Sequence, residues 1–157
     1  MSINLKALQI LSGHLGEKET APNQGPIVDW AIHNWTNKAV DESGWAKWCA
    51  GAVCTAYLEA GSSIIKSIGS LSVSTLFNRL SKLNLCYANQ LARNIEQGDL
   101  VFFRKSNSAE TTLVHVGLVY SIGKTDILVI EGNSHNSVRI NSYPINDDRI
   151  YSYAYIT

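Results

Sequence analysis

Apolar residues recur at helical intervals through the first half of the chain and alternate with polar ones through much of the second. Leu5, Leu8, Ile10, Leu11 and Leu15 fall at mostly helical spacing, and Gly13 and Gly16 close that stretch. Pro22 and Gly25-Pro26 mark a turn. Ile27, Val28, Ala31, Ile32 and Trp35 then form one apolar stripe, which predicts a second helix over residues 26–36. Residues 37–44 are polar, carry Asp41, Glu42 and Gly44, and read as a loop. Trp45, Trp48 and Cys49 lead into an alanine-rich run over 50–60 that ends at Gly61. Alanine favours helix and glycine commonly follows a helix end, so this run predicts the third helix. Ser72 or Ser74 can cap a fourth, with Leu76, Phe77, Leu80 and Leu83 on its buried side.

The period changes after the turn Gln97-Gly98-Asp99. Residues 100–103 are continuously apolar, and 106–112 form a polar loop. Residues 113–120 alternate and are rich in valine, 127–130 are apolar, and 137–143 and 150–156 alternate again. Helices first and strands later, without βαβ alternation, predict an α+β fold with N-terminal helices packed on a C-terminal antiparallel sheet. At 157 residues the chain is expected to form one domain over 1–157, since domains run to about 100–200 residues.

Composition narrows the function classes. Hydrophobic residues make up 45% and charged residues 17%, which excludes a disordered or collagenous chain. Thirteen basic residues balance thirteen acidic ones, so the basic excess of a nucleic-acid binder is absent. The apolar runs fall far short of the ~20 residues that span a bilayer. Neither nucleic acid nor membrane is an expected partner. The first fifteen residues lack the long apolar core and cleavage site of a signal peptide, so the protein is expected to be made in a cytoplasm. The three cysteines, Cys49, Cys54 and Cys86, are too few and too irregularly spaced for a disulfide framework or a zinc site.

One of those cysteines is placed for chemistry. Cys49 falls at the predicted start of the third helix, where unpaired N–H groups and the positive end of the dipole favour a thiolate. Ala50, Gly51 and Ala52 are small enough to let that helix pack closely on a sheet. A buried structural cysteine is the plainer alternative for Cys49 and the reading for Cys54. Cys86 has no basic partner nearby in sequence. A nucleophilic thiol needs a base, and His115 is the one group of the apolar strand 113–120 whose ordinary pKa lies near neutrality. Gly117, two residues on, faces the same way and leaves space for substrate or a helix. Glu131 and Asn133 follow the next apolar run, and as i and i+2 of a strand both are expected to face His115, either one fixing its tautomer. Trp45 and Trp48 flank the nucleophile and form either a cleft wall or packing beneath the loop. His14 and His33 read as surface residues. His135, in a polar turn, is a weaker base than His115.

Five stretches carry a family resemblance. They are Leu11-Ser12-Gly13-His14-Leu15-Gly16-Glu17-Lys18-Glu19, Trp48-Cys49-Ala50-Gly51-Ala52-Val53, Gln97-Gly98-Asp99-Leu100-Val101-Phe102-Phe103, Val114-His115-Val116-Gly117-Leu118-Val119, and Glu131-Gly132-Asn133-Ser134 followed by Ser137-Val138. In this order they resemble the CHAP domain of the papain-like NlpC/P60 superfamily, in the compact stand-alone form of phage and bacterial genomes. The resemblance implies a papain-like fold with Cys49 as nucleophile and His115 as general base. Glu131 and Asn133 would orient the imidazole or line the cleft, and Gly98-Asp99 would be a structural turn. It also implies cleavage of amide bonds in peptidoglycan, as endopeptidase or N-acetylmuramoyl-L-alanine amidase, without a cofactor. Asp41 and Glu42 are too few oxygen ligands for the calcium site of some members. Such an enzyme would reach the wall as a phage lysin or a secreted antibacterial toxin, and a toxin would need an immunity protein as partner. The alternatives are a papain-like protease acting on a cytosolic protein, which needs the same triad, and a catalytically inactive binding module.

Overall fold

Helices occupy the first half of the chain and an antiparallel sheet the second, as the change in period predicts. The structure, a computed structural model, describes residues 1–35, 48–88, 94–105 and 112–157. Helix α1 (Ile3–Ser12) starts at Ser2, whose hydroxyl accepts from the Leu5 N–H at 3.3 Å. Helix α2 (Pro26–Ile32) begins on its proline and is shorter than its apolar stripe, Trp35 being buried just beyond its end. Helix α3 (Trp48–Glu59) carries Cys49 as its second residue, as expected. Helix α5 (Val73–Lys82) is capped by Ser72, which accepts from the Thr75 N–H at 3.2 Å, so Ser72 and not Ser74 is the cap. Leu76 and Leu80 are buried beneath it, whereas Leu83 lies past the helix end and is 49% exposed, against expectation.

The remaining helix, α4 (Ser63–Ile68), is absent from the sequence reading. Its six residues are too short to show a period, and the only local sign is Ser62, which caps it through the Ile65 N–H at 3.1 Å. Six strands complete the described fold: β1 (Cys86–Tyr87), β2 (Leu100–Arg104), β3 (Leu113–Ile122), β4 (Asp126–Ser134), β5 (Ser137–Pro144) and β6 (Ile150–Ala154). They form one sheet in the order β1-β6-β2-β3-β4-β5, with every neighbour antiparallel. The two-residue β1 is too short to recognise by alternation. Strand β4 runs on through Glu131-Gly132-Asn133 to Ser134, where turn-forming residues alone would have ended it.

Helix α3 is the centre of the packing. Its residues from Trp48 to Tyr57 are all buried, which requires neighbours on every side. Two glycines make the approach possible. A Cβ on Gly51 would come within 2.6 Å of the Ala31 carbonyl oxygen in α2. A Cβ on Gly132 of β4 would come within 2.7 Å of Ala52 Cβ and 3.1 Å of the Trp48 ring. The small residues after Cys49 therefore serve both neighbours: Ala52 meets the sheet and Gly51 meets α2. A second apolar cluster, including Val101, Phe103, Val119, Ile127, Val129 and Tyr153, packs on the strands apart from the helix-facing core.

The turn before β2 is a second tie. Gly98 has φ +85°, and a Cβ there would sit 2.3 Å from the Asn4 carbonyl oxygen, so only glycine fits. Asp99 beside it is fully buried. It accepts from Asn4 Nδ2 at 2.9 Å, from the Tyr87 hydroxyl and from the Glu96 N–H at 3.1 Å, joining α1, β1 and the head of β2. Among the described residues no helix is long and apolar enough to cross a membrane.

The Gly132 notch gives the first prediction. Gly132→Ala forces the Trp48 end of α3 off the sheet and lowers stability by about 1–3 kcal/mol, the usual cost of overpacking. Thermal or denaturant unfolding of the variant beside the wild type measures it, and an unchanged midpoint would show that α3 does not depend on this contact.

Candidate active site

The Gly132 notch places the start of α3 beside the strand pair that carries the other candidate residues. Cys49 is 2% exposed, and its thiol lies close enough to His115 of β3 to act on the charge of that ring. His115 Nε2 lies 3.1 Å from Glu131 Oε1 of β4. Thiol, imidazole and carboxylate thus form one chain of contacts drawn from a helix start and two adjacent strands. With Nε2 engaged by Glu131, Nδ1 is the nitrogen left for the sulfur. The His115 side chain is 23% exposed, so solvent reaches the otherwise buried chain at the imidazole.

Glu131 is fully buried and well supplied with donors. The Tyr143 hydroxyl donates to Oε1 at 2.8 Å, and Asn141 Nδ2 donates to Oε2 and also to Ser134 Oγ at 2.9 Å. Burial and the neighbouring Glu131 charge hold the Tyr143 phenol well above its ordinary pKa, so it remains a donor. Phe103, directly opposite His115 across the β2–β3 ladder, sits with its ring centroid 5.8 Å from the imidazole and 4.7 Å from the Tyr143 ring. These rings confine the imidazole.

The electrostatics favour a charged His115. Burial works against the imidazolium, but hydrogen bonds with Cys49 and Glu131, together with their negative charges, outweigh it. The net result pushes His115 from 6.5 up to about 10.

Three expectations need correction. Gly117 does not leave space for substrate: a Cβ there would meet Val129 Cγ1 at 2.6 Å, the Ile130 carbonyl oxygen at 2.7 Å and Glu131 Cγ at 2.8 Å. The missing side chain makes room for the stem of Glu131. Asn133 does not share the Glu131 position at His115. The β4–β5 register is irregular between Glu131 and Ser134, and Asn133 has φ +56°, so strict alternation fails there. Asn133 instead lines a cavity with Glu19, Thr20 and Asn23. Trp48 is no cleft wall: it is fully buried against Gly132, and its indole N–H donates to Glu19 Oε1 at 2.6 Å. Trp45, Asp41 and Glu42 lie outside the described residues.

No protein-family model matches the chain, and no curated protein is significantly similar to it. The site therefore rests on its own geometry. The remaining cysteines fit their plain readings. Cys54 is fully buried with its thiol 3.6 Å from the Ser70 carbonyl oxygen, and burial pushes the half-buried Cys86 thiol up to about 11. His14 contacts Glu17, and its ring centroid lies 4.1 Å from that of Trp30.

Sequence reasoning missed Tyr143, Asn141 and Glu19. A usable signal existed for the first two. In β5, Asn141 and Tyr143 alternate with the apolar face of Val138 and Ile140, so they share the other face, and β5 follows β4 through a tight turn. Glu19 ends the first stretch of the family resemblance, but no role followed from it there, since its contact with Trp48 spans 29 residues.

The His115 titration tests the arrangement. In Glu131→Gln the carboxylate charge is gone while an amide oxygen still accepts from the ring, so burial gains relative weight and the His115 pKa falls below about 10. Ring-proton NMR of the two proteins across pH 5–11 follows it. An unshifted titration would show that Glu131 does not hold the imidazolium.

Proposed function

We propose that this protein is a cysteine hydrolase of peptide or amide bonds whose substrate is the stem peptide of bacterial peptidoglycan. The contact chain Cys49–His115–Glu131 carries this reading. A thiol touching an imidazole, itself oriented by a buried carboxylate, is the arrangement nucleophilic acyl transfer needs. The five-part resemblance to CHAP domains and the α+β order of elements support a papain-like NlpC/P60 fold and a cell-wall substrate.

In this reading the Cys49 thiolate attacks the scissile carbonyl, and the electron pair of the C=O moves onto oxygen. First-turn N–H groups of α3 face the start of the helix, where they stabilise that oxyanion. His115, protonated beside the sulfur, donates its proton to the departing amine as the C–N bond breaks. The product is a thioester on Cys49. His115, now neutral, takes a proton from water, which attacks the thioester and releases the acid, restoring thiolate and imidazolium. Glu131 keeps the ring oriented and stabilises its charge throughout, while Tyr143 and Asn141 hold Glu131.

The test is mass spectrometry of soluble products from purified peptidoglycan, with wild type beside Cys49→Ala. New muropeptides from wild type alone are expected, and their masses identify the bond. Products from both proteins, or from neither, would overturn the wall-hydrolase reading; selective modification of Cys49 in the second case would redirect it to a protein substrate. Mild alkylation supplies that measurement. Cys49 is expected to react at least tenfold faster than Cys54, which is fully buried, or Cys86, whose thiol burial pushes up to about 11. Equal rates at all three would favour an inactive module.

A further inference from the structure

Beside the contact chain lies a cavity of about 290 Å³ that the triad does not use. One wall is the segment 19–23 and the other is the end of the β4–β5 hairpin at Asn133 and Asn136. Two links tie it to the candidate active site. Glu19 Oε1 accepts from the indole N–H of Trp48, the residue before Cys49, and Asn133 lies two residues beyond Glu131. The walls are also pinned together: the Gly16 N–H donates to the Val138 carbonyl, the Val138 N–H to the Glu17 carbonyl, and the Glu19 N–H to the Asn136 carbonyl, all within 2.9–3.0 Å.

The backbone around the cavity is unusual. Asn23, Asn133 and Asn136 all have φ between 55° and 64°, so three of the five non-glycine residues in the left-handed region among the described residues line this one space. Such positions are held against a local cost and concentrate at functional sites. Each brings a carboxamide-bearing side chain to the lining. Thr20 adds a hydroxyl, and Glu19 adds the one charge. Lys18 and His135, the nearest basic residues in sequence, are not among the lining residues. Thr20, Ala21 and Pro22 are exposed at the rim, so a ligand enters from solvent.

We propose that this cavity is a substrate subsite that binds a positively charged amine, with the Glu19 carboxylate as counter-ion and the carboxamides of Asn23, Asn133 and Asn136 completing its hydrogen bonds. The proposal rests on the hydrolase reading, because it assigns the cavity to the peptide whose bond Cys49 cleaves. A substrate carboxylate would face Glu19 without a cation to offset the repulsion. An apolar group would leave the half-buried Glu19, Asn23 and Asn133 without a polar match. An ammonium group matches both, and the Trp48 hydrogen bond fixes the carboxylate that receives it. In a stem peptide the amine is either the α-amine of the first residue or a side-chain amine.

Calorimetric binding to Cys49→Ala protein separates these sources without turnover. The probes are L-Ala-γ-D-Glu-L-Lys and its forms acetylated on the α-amine, on the ε-amine or on both. Diacetylation is expected to weaken binding about tenfold, the scale of one partly solvated charged hydrogen bond. The single acetylation that reproduces the loss identifies the amine. Adding Glu19→Gln, which keeps an acceptor for the Trp48 indole, makes the free and diacetylated forms bind alike. Adding Asn133→Asp, which tolerates the same backbone, tightens binding of the free form severalfold. Equal binding of free and diacetylated peptide to the Glu19 protein, a preference that survives Glu19→Gln, or no binding of any form would overturn the proposal. Cleavage by wild type, followed by mass spectrometry, is read separately. Cleavage without amine preference removes the subsite and leaves the hydrolase, whereas amine-dependent binding without cleavage leaves the subsite and removes the hydrolase.

Discussion

A carboxylate shut away from water is destabilised by several kcal/mol unless its oxygens find donors. Glu131 is such a group, with no exposed surface. Its donors come from three places at once: His115 of β3 and Tyr143 and Asn141 of β5. That requirement explains features that look unrelated in sequence. The adjoining strand needs a glycine at 117, because the Glu131 stem occupies the space a side chain would take. The edge strand β5 carries polar residues on the face where a sheet of this kind would otherwise place apolar ones. Removing any one donor leaves a buried charge underpaired, so the imidazole is held by the solvation needs of the acid as much as by its own contacts.

The approach of α3 is the second half of the geometry. A helix start brings a thiol to an imidazole only if the backbones come closer than ordinary side chains allow, and Gly132 facing Ala52 permits that. Burial of the helix on all sides fixes its position, since no solvent-facing side is left to accommodate a shift. Trp48 adds a lateral constraint: its ring rests on Gly132 and its indole N–H reaches Glu19. The nucleophile position is therefore set by core packing, whereas the base and acid are set by sheet register. Two independent constraints meet where Cys49 faces His115.

Much of this was legible from the chain alone because it follows from local pattern. The switch from helical to alternating period gave the α+β class, and the position of one histidine within a valine-rich strand gave the candidate base. What the pattern could not give depends on contacts between distant segments. Strict alternation put Glu131 and Asn133 on the same face, and a register shift between Glu131 and Ser134 separated them. A glycine beside a histidine reads as open space until the neighbouring strand is known, and Glu131 of that strand fills it. Six-residue α4 and two-residue β1 are too short for any period to show. Trp48 had two readings by composition, and only the packing partner, Gly132, decides for the buried one.

The two buried acids show why burial alone does not mark a functional residue. Asp99 and Glu131 are both fully buried. The donors to Asp99 include an amide, a phenol and a backbone N–H, and they join three segments of the scaffold. Glu131 also accepts from an amide and a phenol, but its remaining partner is an imidazole that titrates and reaches solvent. A proton on that imidazole is stabilised by the same field that the carboxylate and the thiol create, which is why its pKa rises to about 10 despite burial. A carboxylate satisfied by neutral groups holds a fold together. A carboxylate that spends one oxygen on a partly exposed histidine, itself bonded to a cysteine, stabilises a charge that chemistry can move. On this difference Glu131, and not Asp99, belongs to the candidate active site.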